Sequence, residues 1–131
     1  MTPYVQLTNE RLKHFLKEHG IDVMKLGTFD MLDMFDHAKI LPEEIYRKVK
    51  ETTTDDTEAV FIACTQLRAL EVVDMLERDL GKPVYSAVQA SAWQAFEAMG
   101  VDPGIKNRGS LLRKLSEPGA LKPAKGKRKS A

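Results

Sequence analysis

The ten residues Ala59-Val60-Phe61-Ile62-Ala63-Cys64-Thr65-Gln66-Leu67-Arg68 constrain this chain more than any others. An apolar run of strand character, Ala59 to Ala63, stops at the only cysteine. Apolar residues at helical spacing, Leu67, Leu70, Val73 and Leu76, follow directly and end at Gly81. So unbroken an apolar strand suits the middle of a parallel sheet covered on both faces. A thiol between that strand and a helix lies at the carboxyl edge of the sheet, where open α/β sheets bind small ligands. The positive end of the helix dipole would favour a thiolate, with Thr65 as the cap. The arrangement points to a cysteine acting as base or nucleophile. A buried structural cysteine has the same spacing, since cysteine is among the most buried residue types.

The flanking sequence predicts an α/β fold: a small parallel sheet flanked by helices. A helix runs from Thr8 through Leu12, Phe15 and Leu16 to a stop at Gly20. Ile21 to Leu26 alternates apolar and polar and reads as a strand nearer the sheet edge. Residues 27–39 are irregular, a loop or a loop with a short helix. Pro42-Glu43-Glu44 opens a helix whose buried side is Ile45, Tyr46 and Val49. Pro83 to Val88 is the next strand, and Gln89 or Ser91 leads into a helix through Trp93 and Phe96, closed by Gly100. Leu111, Leu112 and Leu115 mark a last short helix. Alternation of helix and strand patterns is the signature of a parallel sheet. Residues 1–115 form this unit, and 116–131, rich in lysine with Pro118 and Pro123, read as a basic disordered tail. Its plain role is solubilising, with a nucleic-acid tether as the alternative.

Composition excludes several classes. A single cysteine among 131 residues rules out an internal disulfide framework and a cysteine-rich zinc site. A net charge of +1 argues against a dedicated nucleic-acid surface on the folded part. No apolar stretch reaches the roughly 18 residues that span a bilayer, and the amino terminus lacks a signal-peptide pattern, so the expected location is cytoplasmic. Walker and GxGxxG loops are absent, and His14, His19 and His37 make no metal-binding pattern, so neither cofactor nor metal is expected. Met24, Met31 and Met34 read as gap-filling apolar side chains.

The candidate site residues cluster around Cys64. Backbone amides of Thr65 and Gln66 could hold a carboxylate or an enolate oxygen. Tyr4 could donate its hydroxyl to a developing oxyanion, or simply pack at the amino terminus. Ser86 and Gln89 end the second strand on the same sheet edge and could bind a carboxylate, or cap the next helix.

Thr2-Pro3-Tyr4, Asn9-Glu10-Arg11, Phe15-Leu16 and Gly20-Ile21 resemble the opening of the second half-domain in the maleate cis-trans isomerase and arylmalonate decarboxylase family, within the aspartate/glutamate racemase superfamily. Phe61 to Arg68 is similar to that family's second cysteine motif. Leu80-Gly81-Lys82-Pro83-Val84 with Ser86, Gln89-Ala90 and Trp93 resembles its next strand and helix, and Gly109-Ser110-Leu111-Leu112 its C-terminal segment. The resemblance implies one half of a two-domain racemase-like fold, lacking its first strand, with the site between two halves. It implies cofactor-independent chemistry on a small carboxylate through Cys64, with Tyr4 touching substrate. It also implies a partner surface, either a missing N-terminal half-domain or a second copy. Maleate isomerisation is the first expectation. Arylmalonate decarboxylase-like lyase chemistry, or a truncated non-catalytic half-domain, are the alternatives. Three departures from the family pattern stand out: Ser86-Ala87-Val88 replaces the family's Ser-Ser-Asn, residues 21–60 hold no asparagine, and the strand and first half-domain that precede this stretch in the family are absent.

Overall fold

Two short parallel strands centre the computed structural model, which describes residues 1–117. β1 (Val60–Ile62) and β2 (Val84–Ser86) pair with Val60 beside Val84 and Ile62 beside Ser86. Their β-branched side chains bury Val60, Ile62 and Val84 in one core with Ile45, Val49, Val73 and Leu76. Beyond β1 the backbone continues as single hydrogen-bonded steps. Ala63 N donates to Met1 O at 3.0 Å and the Met1 ammonium to Phe61 O at 2.7 Å. Thr2 in turn makes a parallel bridge to Thr28, through Thr2 N to Gly27 O at 2.9 Å and Phe29 N to Thr2 O at 3.1 Å.

Side by side, the extended segments therefore lie in the order 27–29, 1–2, β1, β2. From Met1–Thr2 the chain moves outward to Thr28, then crosses back to β1 on the other side. That reversal is the kind of topological switch point beyond whose carboxyl ends, here those of Met1–Thr2 and β1, open α/β sheets bind ligands.

Three expectations need correction. Ile21–Leu26 is not a strand; only Thr28, further on, pairs with anything. The reason is the lack of a neighbour. A cavity of about 560 Å³ separates this segment from Ala59–Phe61, lined also by Leu12, Leu16 and Val49. Across it the Phe61 and Gly27 amides donate to no acceptor among the described residues. Second, β1 is not covered on both faces. Val60 and Ile62 are buried, but Phe61 is 37% exposed and faces that cavity. Burial also pushes the Met1 amine, at the cavity's end, from 8.0 down to about 6.

Third, no α-helix starts at Thr65. Thr65 and Gln66 form a turn, Ala69–Glu71 a 3₁₀ turn, and the helix begins only at Val73 (α3, Val73–Leu80). Leu67, Ala69 and Val72 are all buried, so the chain dives into the core before it coils. Thr65 caps no helix among the described residues, and the helix-dipole argument for the thiol falls with it.

The other helices follow their sequence signals. α1 is Gln6–Glu18, and α2 is Pro42–Thr52, where the Glu44 carboxylate accepts from Leu41 N at 2.8 Å. α4 (Ala87–Met99) starts earlier than its sequence suggests, taking in Val88. Ser86 Oγ accepts from Gln89 N and Gln89 Oε1 from Ser86 N, both at 3.2 Å, a reciprocal cap. Gln89 Nε2 also donates to Arg108 O at 2.6 Å. α5 (Ser110–Arg113) is pinned onto α3: Gly109 N and Arg113 reach Asp74, and Ser110 reaches Glu77. The basic tail lies outside the described residues from 118 onward.

Candidate active site

Cys64 follows β1 by two residues and sits at the switch point. Its φ of 84° is in the left-handed region, a conformation that costs a non-glycine residue about 1–3 kcal/mol and that clusters at functional sites. The thiol is free and half-buried, packed against the rim of the core. His37 Nδ1 lies 3.8 Å from Sγ and Gln66 Oε1 3.9 Å.

Tyr4, from the first extended segment, packs edge-on against His37 at 5.8 Å, beside the same sulfur. Burial first, then the charge and hydrogen bonding of the Cys64 thiolate, push the phenol from 10.0 up to about 12, so it remains a neutral donor at ordinary pH. A buried polar network holds its backbone. Thr2 Oγ1 donates to Asn9 Oδ1 at 2.6 Å, and Asn9 Nδ2 donates to Tyr4 O at 2.7 Å and Thr28 Oγ1 at 3.3 Å. Thr28 Oγ1 donates to Tyr4 O at 2.6 Å. Asn9 is 2% exposed, so α1, the Tyr4 loop and the Thr28 segment are locked together through one side chain.

His37 is the residue that sequence reasoning missed. It sits on a 3₁₀ turn (Met34–Lys39) that Asp33 opens by accepting from Phe35 N at 2.9 Å. The ring is 5% exposed, with Nε2 3.4 Å from Met31 O and the Tyr4 ring edge-on at 5.8 Å. It comes from an irregular stretch, and its separation of 27 residues from Cys64 matches no motif spacing.

The remaining candidates divide. Thr65 and Gln66 are exposed beside Cys64, and their amides donate to no protein acceptor among the described residues. Ser86 lies at the end of β2 on the same edge, but it is 1% exposed and its oxygen is taken up by the α4 cap. No three His, Cys, Asp or Glu side chains among the described residues converge on a metal position. His14 pairs with Glu18 at 3.3 Å and His19 with Phe15 O at 2.8 Å, on α1 and its end. The 560 Å³ cavity includes none of Tyr4, His37 or Cys64. The thiol site is an open rim, with Leu32 88% and Phe35 76% exposed on the segment that carries His37.

The family model for arylmalonate decarboxylase matches residues 1–112. The chain belongs to the arylmalonate decarboxylase family. It is 26% identical over 113 residues to the maleate isomerase of Alcaligenes faecalis, covering 86% of this chain and 45% of that protein. The solved maleate isomerase of Pseudomonas putida S16 with maleate superposes with a TM-score of 0.80 at 27% identity, covering 85% of this chain and 45% of that one. A Nocardia farcinica maleate cis-trans isomerase mutant with a covalently bound succinylcysteine intermediate gives a TM-score of 0.81, covering 86% and 46%. At 23% identity this last match bears on the fold alone. The chain spans about half the length of the curated relatives it matches. No helix among the described residues is long and apolar enough to cross a membrane.

Proposed function

We propose that this chain supplies the cysteine-bearing half of a cofactor-independent isomerase of the maleate type, with Cys64 as the nucleophile. The observation that carries this reading is the grouping of Cys64, His37 and Tyr4 beyond the carboxyl end of β1, with Cys64 held in a left-handed backbone conformation. In the reaction, the Cys64 thiolate adds to one alkene carbon of maleate. The π pair moves to the neighbouring carbon and its carboxylate, giving an enediolate. The former double bond rotates as a single bond. The pair then re-forms the alkene, the C–S bond breaks and the thiolate leaves. Tyr4, kept protonated, donates to the enediolate oxygen, and the free amides of Thr65 and Gln66 hold a carboxylate.

A second α/β half-domain closes this site in our reading. The exposed Leu32 and Phe35 on the rim, and the half-length coverage of the relatives, support it. Incubation with maleate, followed by proton NMR and intact mass, tests the chemistry. The expected result is fumarate, or a mass gain of one maleic acid on Cys64, lost in Cys64→Ala. Turnover retained in Cys64→Ala sinks the assignment.

The family model's own name favours a second reading, in which Cys64 gives its proton to an enediolate left by decarboxylation of an arylmalonate. Release of carbon dioxide from phenylmalonate with no change in maleate would select it. Silence with both substrates would leave a non-catalytic half-domain.

A further inference from the structure

Among the titratable groups of the site, His37 has no place in the isomerisation as written, yet it is buried and directed at the sulfur. Its two ring nitrogens have different neighbours. Nε2 lies 3.4 Å from Met31 O, which can only accept, a contact that favours the tautomer with the proton on Nε2. In that neutral tautomer Nδ1 is an unprotonated acceptor, and Nδ1 is the atom 3.8 Å from Cys64 Sγ. The order nucleophile, base, orienting group is the general pattern of an activated nucleophile. The separation is long even for sulfur, as such contacts commonly are before a substrate binds.

The groups packed against the ring leave this role open to it. Tyr4 contacts its edge and is a neutral donor, and the Cys64 thiol faces Nδ1. On its own turn, Asp36 is paired with Lys39, and Asp33 is occupied by Phe35 N. No carboxylate competes for Nδ1 among the hydrogen bonds of the described residues.

We propose that His37 is the positioning base of Cys64: it accepts the Sγ proton on Nδ1, leaving a thiolate beside an imidazolium, and returns the proton to sulfur when the thiol is the form required. Only the proton moves, and no electron or further reactant is needed. The inference rests on Cys64 being the reactive group. It concerns the thiol itself, so it is tested without any dicarboxylate and can fail while adduct formation stands.

The test is the second-order rate of iodoacetamide alkylation of Cys64 in the 131-residue chain, read by intact mass at two pH values. An unassisted thiol of ordinary acidity loses about a hundred-fold in rate between about pH 9.5 and about pH 6.5, because its thiolate fraction falls by that factor. The wild-type chain is expected to lose less than about ten-fold, and His37→Gln to show the full loss while matching wild type at the higher pH. Equal profiles for the two proteins overturn the proposal. So does a His37→Gln rate that is changed equally at both pH values, since that describes a packing role. If His37→Gln does not fold, the wild-type profile decides alone: a hundred-fold fall overturns the proposal.

Discussion

Asn9 is the side chain through which the first segment of the chain is held, and its removal has the most legible cost at the residue scale. Asn9→Ala leaves the Thr2 hydroxyl and the Tyr4 carbonyl buried with a partner missing. A loss of about 2–3 kcal/mol is expected in urea unfolding. Tyr4→Phe should keep the ring against His37 and remove only the hydroxyl. Its signature is in the pH dependence. The Tyr4 phenol is raised to about 12 in the fold from 10.0, so its stabilising contribution is intact below pH 10 and lost as pH rises toward 12. Urea unfolding across that window should show a fall in wild-type stability that Tyr4→Phe lacks. Cys64 was legible as a candidate from its place at the end of an apolar run, and Tyr4 only through the family resemblance. Asn9 was quoted only as part of a motif and His37 only as a residue in an irregular stretch. Nothing local announces that a buried amide ties three segments, or that a histidine 27 residues away meets the thiol.

At the scale of elements, the sequence is explicit where chemistry is local and silent where it is not. Pro42 with Glu44, the glycine after α4, and the Leu111–Leu112 pair all name structure that forms, because caps and turns involve neighbours a few residues apart. The strand expected at Ile21–Leu26 has the right alternation but no hydrogen-bonding neighbour, and alternation alone does not make a strand. Leu67 to Leu76 shows the converse: helical spacing across a segment whose first half is a turn, because burial of Leu67 and Ala69 overrides the period. Gly109 tests the packing of the last element. Its φ is 88°, and an added Cβ would run into the Gln89 and Val73 side chains. Gly109→Ala combines backbone strain with overpacking and should cost about 2–4 kcal/mol in thermal or urea unfolding.

For the whole molecule, the order of segments across the sheet explains why the candidate site is where it is. The first segment and β1 lie side by side while the chain leaves them in opposite directions, so their carboxyl ends form a switch point. Tyr4 follows the first of these ends and Cys64 the second. The α/β class and the parallel sheet were readable from the alternation of patterns. That arrangement was not, since it depends on a single bridge between Thr2 and Thr28. The central claim is that this edge of the sheet binds a small dicarboxylate against the Cys64 sulfur. Protection of Cys64 from iodoacetamide at neutral pH by graded maleate tests it most directly, with acetate at the same ionic strength as the control. The account predicts saturable slowing by maleate and none by acetate. Identical rates in maleate and acetate at every concentration would contradict it.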